Sequence, residues 1–387
     1  MSYRKVSAGR IFNGLELLKD QVVVLDRAGK IEALVSLSAA GEDIEFYEGI
    51  LSPGFINCHC HIELSHLKAR IPAGKGLIDF LISIVKNRAA FEGDKTGSIA
   101  GAEKEMWDHG IAGVGDICNT TDALPIKTAG RMRWHSFVEV INFFDVNLER
   151  QVGGPQQILE AHLASGQHGC LSPHAPYSVS GRTMEVINEK TKGGIISIHN
   201  QETSAEDALF IEGTGDFLRF YKEFGNNTSP FPVTGTSSLR TWLPRFTNGQ
   251  TLLLVHNTYI GEEDIVFAKE HASRYGLSLA YCLCPNANLY IENHLPPVEL
   301  LVKHGCTIVL GTDSYSSNWK LDMASEMNAL KKTYTDLTTE MLLRWATING
   351  ADVMNWKDLG RMEKGCRPGI IQVMENEEGM LSAKRII

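Results

Sequence analysis

Between Gly54 and Thr312 short apolar runs rich in β-branched residues alternate with longer amphipathic stretches, which restricts the chain to a parallel sheet crossed by helices. Eight runs read as strands: Gly54 to His59, Ala112 to Ile117, Arg133 to Ile141, Gly169 to Pro173, Ile195 to His199, Thr251 to His256, Leu277 to Leu283 and Thr307 to Thr312. Helical periodicity fills most of the gaps, as at Leu77 to Phe91, Gly181 to Lys192, Glu262 to Tyr275 and Asp322 to Thr333. Eight parallel strands joined by right-handed crossovers predict an α/β fold, a (β/α)8 TIM-type barrel. Gly213 to Asn248, rich in Gly, Asn, Thr and Pro, fits neither pattern. It is expected to be a loop over the substrate or a set of short helices that periodicity does not reveal.

The two ends have a different texture. Gln21 to Leu25 and Lys30 to Val35 flank a turn at Asp26 to Gly29, and Gly369 to Met374 and Met380 to Ile387 flank another at Glu375 to Gly379. They predict a small β-sandwich built from both termini, with residues 1–51 and 356–387 forming it around a barrel of residues 52–355. With 43% hydrophobic and 21% charged residues the chain can bury a large core.

A net charge of −9 argues against a nucleic-acid partner, which requires a basic face. Thr251 to Val255 and Cys306 to Leu310 are far too short to span a membrane, and Met1 to Lys19 lacks the apolar core of a signal peptide. The expected location is therefore cytoplasmic, the partner a small-molecule substrate, and the oligomer, on general grounds of symmetry, a homodimer. Eight scattered cysteines are read as free, buried thiols. Strand alternation predicts Cys58 and Cys60 on one face, opposite His59 and His61.

A barrel carries its chemistry at the C-terminal ends of its strands. The first predicted strand runs into His59-Cys-His61, the fifth ends at His199, the sixth at His256 and the eighth beside Asp313. A lone histidine is more often a hydrogen-bonded structural residue, but four strands delivering such groups to one rim is a different matter. His59, His61, His199 and Asp313 form a three-nitrogen, one-oxygen set suited to one divalent ion, Zn2+ first and Fe2+ as the alternative.

These motifs resemble the amidohydrolase superfamily, specifically its metal-dependent aminohydrolases acting on purines and adenine nucleosides. The resemblance covers nearly the whole chain and rests on Leu51 to Asn57 before the paired histidines, Ser172-Pro-His-Ala-Pro-Tyr-Ser178, His199-Asn-Gln-Glu202, Gly311-Thr-Asp-Ser314 with Ser317-Asn318, Ala346 to Ala351, and Gly360 to Gly365. Ile62-Glu-Leu-Ser-His66 is similar to the stretch that follows the metal pair in aminodeoxyfutalosine deaminases, and deaminases of 5-methylthioadenosine or S-adenosylhomocysteine share the other motifs. Two-metal members use a bridging lysine on the fourth strand, and Gly169 to Ser178 contains none. The H-x-E with P-C-x-x-C signature of the other zinc deaminase fold is missing.

The resemblance implies hydrolytic deamination at a C–N bond, with ammonia released. A bound metal brings the pKa of water from 15.7 to about 7. Glu202 is expected to protonate the ring nitrogen, Asp313 to bind metal and carry the water proton, and His256 to orient the water or hold the oxyanion. Substrate contacts are expected from His174, Glu202, Glu63 (to ribose hydroxyls) and Asn318, with Trp319 close by or packed on the rim. A carboxylate on the substrate would need a cation, for which Lys68, Arg70, Arg88, Arg131, Arg133 and Arg150 are available. The alternatives are a hydrolase of the same fold acting on a triazine halide or a small cyclic amide, and a non-catalytic oligomeric scaffold.

Overall fold

The computed structural model describes residues 3–145 and 147–387. The chain begins with β1 (Arg4–Phe12), β2 (Leu17–Leu18), β3 (Gln21–Leu25), β4 (Ile31–Ser36) and β5 (Ile44–Pro53). Only Gly54 separates β5 from β6 (Phe55–Cys60), the first of eight strands that alternate with helices. Then come α1 (Leu77–Ala90), α2 (Lys95–Asp108), β7 (Ile111–Cys118), α3 (Leu124–Thr128), β8 (Arg133–Val140), α4 (Leu148–Ala164), β9 (His168–Pro173), α5 (Gly181–Lys190) and β10 (Ile195–Asn200). Three helices, α6 (Ser204–Glu212), α7 (Phe217–Glu223) and α8 (Ser238–Trp242), precede β11 (Thr251–His256) and α9 (Glu262–Tyr275). After β12 (Ser278–Leu283) lie α10 (Pro285–Glu292), α11 (Val298–Lys303) and β13 (Ile308–Leu310). The chain closes with α12 (Met323–Lys331), α13 (Thr339–Ala346), α14 (Ile348–Val353), β14 (Ile370–Glu375) and β15 (Leu381–Arg385).

The fold is mixed α/β with two parallel four-stranded sheets, β6-β7-β8-β9 and β10-β11-β12-β13. The sheets touch at both pairs of edges: the amides of Thr312 and Asp313 donate to the His59 carbonyl at 3.0 Å, and the His199 amide donates to the His174 carbonyl at 3.0 Å. Alternate residues of both sheets share one core: Ile56 and Cys58, Ile117, Phe137, Leu253 and Val255, Ala280 and Cys282, and Val309. The residues between them, such as Val114, Val138, Leu171, Ile198, Leu254 and Leu310, pack into the core that also takes helix residues. This period-two division fixes which side chains at each strand end face the enclosed side.

Both termini contribute to a single seven-stranded sheet in the order β15-β14-β5-β1-β3-β4, with β2 on β1. The expected pairing of the chain ends is thus present. Among the described residues no helix is long and apolar enough to cross a membrane.

Two expectations differ from the structure. The eighth strand is shorter than expected, ending at Leu310, because Gly311 is pressed onto its neighbour: a Cβ there would lie 2.8 Å from His59 Cβ and 2.9 Å from its carbonyl oxygen. Cys58 and Cys60 do not share a face. Cys58 packs in the enclosed core and Cys60 in the outer one, and the cause is an irregular register between Asn57 and Cys60 against β7. Of the two expectations for 213–248, the short helices are the one found: α7, α8 and a 3-10 turn at Leu243–Arg245 lie there. Their short lengths hid them from periodicity. All eight cysteines are free.

Candidate metal centre and active site

Three chain segments, the ends of β6, β10 and β13, bring four donor atoms to one point. His61 Nε2 lies 3.2 Å from His59 Nε2 and 3.3 Å from His199 Nε2. Asp313 Oδ1 lies 3.5 Å from His59 Nε2 and 3.4 Å from His61 Nε2. Donors bound at about 2.0–2.1 Å to a tetrahedral ion are spaced about 3.3–3.4 Å apart, so these separations match the edges of such a site. His199 Nδ1 donates to the His174 carbonyl at 2.7 Å, which leaves Nε2 with its lone pair turned inward. Burial, reinforced by the His199 and His174 imidazoles, depresses the pKa of His59 well below the usual histidine range, and burial does the same to His61 and lowers His199. Neutral imidazoles beside a carboxylate are the form in which a cation binds.

The backbone is bent to serve this geometry. His199 faces the enclosed side by simple alternation with Ser197, whereas His256 follows inward-facing Val255 and on an extended strand would turn outward. Its φ of 74° reverses it, and Asp313 has a φ of 55°. Left-handed residues that are not glycine are uncommon and gather where function over-determines them. Asp313 is anchored on its second oxygen by Ser317 Oγ at 2.6 Å.

Around the donors stand three further groups that the sequence singled out. Glu202 is 3% exposed, and its Oε1 is 3.5 Å from His256 Nε2. Burial, followed by the charge of Asp313, pushes Glu202 well above the ordinary carboxylate range. His256 forms, with His59 and His199, a second group of potential donors within 4.8 Å of one another. Burial holds it well below the usual histidine range. His174 binds Ser178 Oγ through Nδ1 at 2.6 Å, and burial pulls its pKa down to about 4. All three line one cavity of about 770 Å3 with His61, His199 and Asp313.

Two expected substrate contacts are placed elsewhere. Glu63 is 5% exposed and spends its carboxylate on the amides of Asn119, at 3.0 Å, and Thr120, at 3.1 Å. It fixes the loop after β7 and is not part of the cavity wall. Asn318 donates to the Thr312 carbonyl at 2.7 Å and to Glu326 Oε1 at 2.7 Å, holding the segment behind Asp313. Trp319 is 53% exposed and leans on Tyr290. Of the six basic candidates only Arg88 lines the cavity; Arg131 and Arg133 pair with Glu103 and Asp358.

What the sequence did not reveal is the rest of the wall. Leu77, Phe80, Leu81, Ile84 and Val85 of α1 and Phe220 and Phe224 on and after α7 make it predominantly apolar, with Lys95 at its edge. Glu139 on β8 also faces in, as Phe137 does two residues earlier. A glutamate inside the run Phe137-Val-Glu-Val140, near the C-terminal end of a predicted barrel strand, was the available signal.

Comparison with known proteins follows the same lines. The chain is 26% identical over 403 residues to an aminodeoxyfutalosine deaminase of a Nitratiruptor species, covering 97% of this chain and 93% of that protein. It is 25% identical over 362 residues to a 5-methylthioadenosine/S-adenosylhomocysteine deaminase of Thermococcus onnurineus, covering 89% and 78%. Among solved structures, Helicobacter pylori aminofutalosine deaminase in complex with methylthio-coformycin superposes with a TM-score of 0.82 at 23% identity, covering 97% of this chain and 93% of that one. A zinc-bound adenosine deaminase from Xanthomonas campestris gives 0.73 at 21% identity, covering 95% and 84%. These structural likenesses establish a common fold. The amidohydrolase family model matches residues 50–383, and the chain belongs to that family.

Proposed function

We propose that this protein is a hydrolytic deaminase of an adenine-type nucleoside, with a single divalent ion, zinc before iron, held by His59, His61, His199 and Asp313. The observation that carries the reading is the closeness of those donors, His61 Nε2 lying 3.2–3.4 Å from the other three and Asp313 Oδ1 3.5 Å from His59 Nε2, with a buried carboxyl of raised pKa beside them. Such an ion would supply Lewis acidity, bringing the pKa of water to about 7. The residues do the rest. Adding water across an aromatic amidine carbon requires a proton on the adjacent ring nitrogen, and a Glu202 kept protonated by burial donates it. Asp313 accepts the proton of the attacking water on the oxygen steadied by Ser317 and returns it to the departing amine. His256, whose Nδ1 is 3.3 Å from Asn288 Nδ2, turns Nε2 toward Glu202 and steadies the developing oxyanion. His174 contacts the substrate. Glu63 and Asn318 support the walls instead.

The curated relatives are named for aminodeoxyfutalosine and for 5-methylthioadenosine/S-adenosylhomocysteine, and an adenosine analogue of this kind is the proposed substrate class. The two edge contacts between the parallel sheets support a closed (β/α)8 barrel over residues 52–355. Residues 1–51 and 356–387 then form the companion domain, whose sheet curls over Val6, Ile11, Val23, Leu25, Leu51 and Ile370 as a small sandwich. A reduced compartment such as the cytoplasm suits the free thiols. An ammonia-release screen over adenosine, 5-methylthioadenosine, S-adenosylhomocysteine, aminodeoxyfutalosine, guanine and 8-oxoguanine, with 6-chloropurine analogues alongside, tests the reading. Ammonia from a 6-aminopurine nucleoside is expected; halide release without any ammonia refutes deamination.

A further inference from the structure

One carboxylate of the cavity has no task in that reaction. Glu139 stands at the C-terminal end of β8, 6% exposed, and its two oxygens are treated differently by the protein. Oε2 accepts a hydrogen bond from Asn119 Nδ2 at 2.9 Å, and Asn119 is in turn fixed by Arg88 Nη1 at 3.1 Å. Oε1 has no hydrogen-bond partner; His199 Nδ1, 3.7 Å away, is already committed to the His174 carbonyl at 2.7 Å. A buried carboxylate oxygen without a donor is costly, by about 1–3 kcal/mol or more. The wall of the cavity offers it little, because most of that wall is aliphatic or aromatic. A hydroxyl of a ligand in the cavity can supply that donor.

Position narrows what that donor is. Glu202 and His256 reach the metal donors from β10 and β11, whereas Glu139 and His174 reach them from β8 and β9, on the other side of His199. A base whose reacting carbon lies at the metal donors and whose ring nitrogen meets Glu202 thus extends its far end toward Glu139. The cavity, about 770 Å3, is of the size that holds a drug-sized ligand and has room for more than a base. Building on the deaminase reading, we propose that Glu139 Oε1 accepts the vicinal hydroxyls of the substrate's sugar and so makes the enzyme specific for ribonucleosides over deoxynucleosides and free bases. Asn119 and Arg88 are positioning residues that hold the carboxylate in register.

The test compares adenosine with 2′,3′-dideoxyadenosine in the wild type and in Glu139→Gln, with zinc content and melting temperature recorded for both proteins. The wild type is expected to favour the diol by about 10- to 100-fold in kcat/KM, the range for a hydrogen bond to a charged group, mostly through KM. In Glu139→Gln that preference is expected to collapse to within about 3-fold. A wild type indifferent to the hydroxyls, or a variant that keeps the full preference, overturns the proposal, and the first of these needs no variant that folds. Calorimetry with inosine and 2′,3′-dideoxyinosine gives the same comparison without turnover. Absence of ammonia from every aminopurine nucleoside combined with tighter inosine than dideoxyinosine binding rejects the deaminase reading and keeps the sugar site; equal binding of the two rejects the sugar site.

Discussion

At the scale of single residues, the proposed chemistry turns on a buried Glu202 whose pKa is raised by burial. Glu202→Gln would remove the proposed proton donor and Asp313→Asn the proposed ligand and proton carrier, and each is expected to cost at least about two orders of magnitude in kcat. Steady-state assays on the best nucleoside measure this, and a near-normal rate in either variant removes that residue from its role. Glu326 gives a cleaner electrostatic experiment away from the reacting groups. Burial pushes it up to about 8, although Asn286 and Asn318 donate to it. The unfolded carboxyl titrates near 4.3, so its contribution to stability is complete below that pH and is lost as pH rises through about 8. Glu326→Gln stays neutral throughout. Its stability deficit against the wild type, followed by urea melts, should shrink between about pH 5 and pH 8; a constant deficit would falsify the assignment. The metal-type residues were legible in the sequence because histidines at strand ends are rare and chemically specific. The hydrogen bonds that tie Glu63 to the loop after β7 and Asn318 to Thr312 and Glu326 were not legible, because such pairings depend on the fold and not on motif spacing.

At the scale of elements, the strand ends are tied together from behind. Lys127 of α3 is fully buried and places Nζ 2.6 Å from Asp116 Oδ2, 3.0 Å from Cys118 Sγ and 3.0 Å from Ser136 Oγ. Asp116 Oδ1 accepts from the Ile62 amide at 2.9 Å, immediately after His61. Lys127→Met leaves that carboxylate without its cation and is expected to destabilise the fold by about 3–5 kcal/mol. Adding Asp116→Asn should recover a substantial part, because the uncompensated charge is gone; denaturant unfolding of the two variants decides, and strict additivity would contradict the pairing. The sequence showed where these strands run, since alternation and length survive in the pattern of apolar residues. It did not show the irregular register before Cys60, which depends on how β6 meets β7, nor α7, whose few turns carry no readable period.

For the whole molecule, the four proposed metal donors lie as far apart in the chain as His59 and Asp313, so only the completed fold brings them together. An ion bound there stabilises the native state by mass action, about 4 kcal/mol when its free concentration exceeds the dissociation constant by a thousand-fold. Prolonged chelation is expected to lower the melting temperature by several degrees and abolish turnover, with both restored by zinc; a melting curve unchanged by chelation would argue against the site. One further consequence comes from Gly54, the single link between β5 and β6. Its amide donates to the carbonyls of Pro368 and Gly369 at 3.2 and 3.0 Å, and Ile370 pairs with Pro53. The strand that ends in the paired histidines is therefore latched at its root by the tail of the polypeptide. A protease nick between Trp356 and Pro368 should loosen that latch and let a bound metal ion leak from a centre the cut never touches, so a colorimetric metal-chelating dye would report the health of the far terminus.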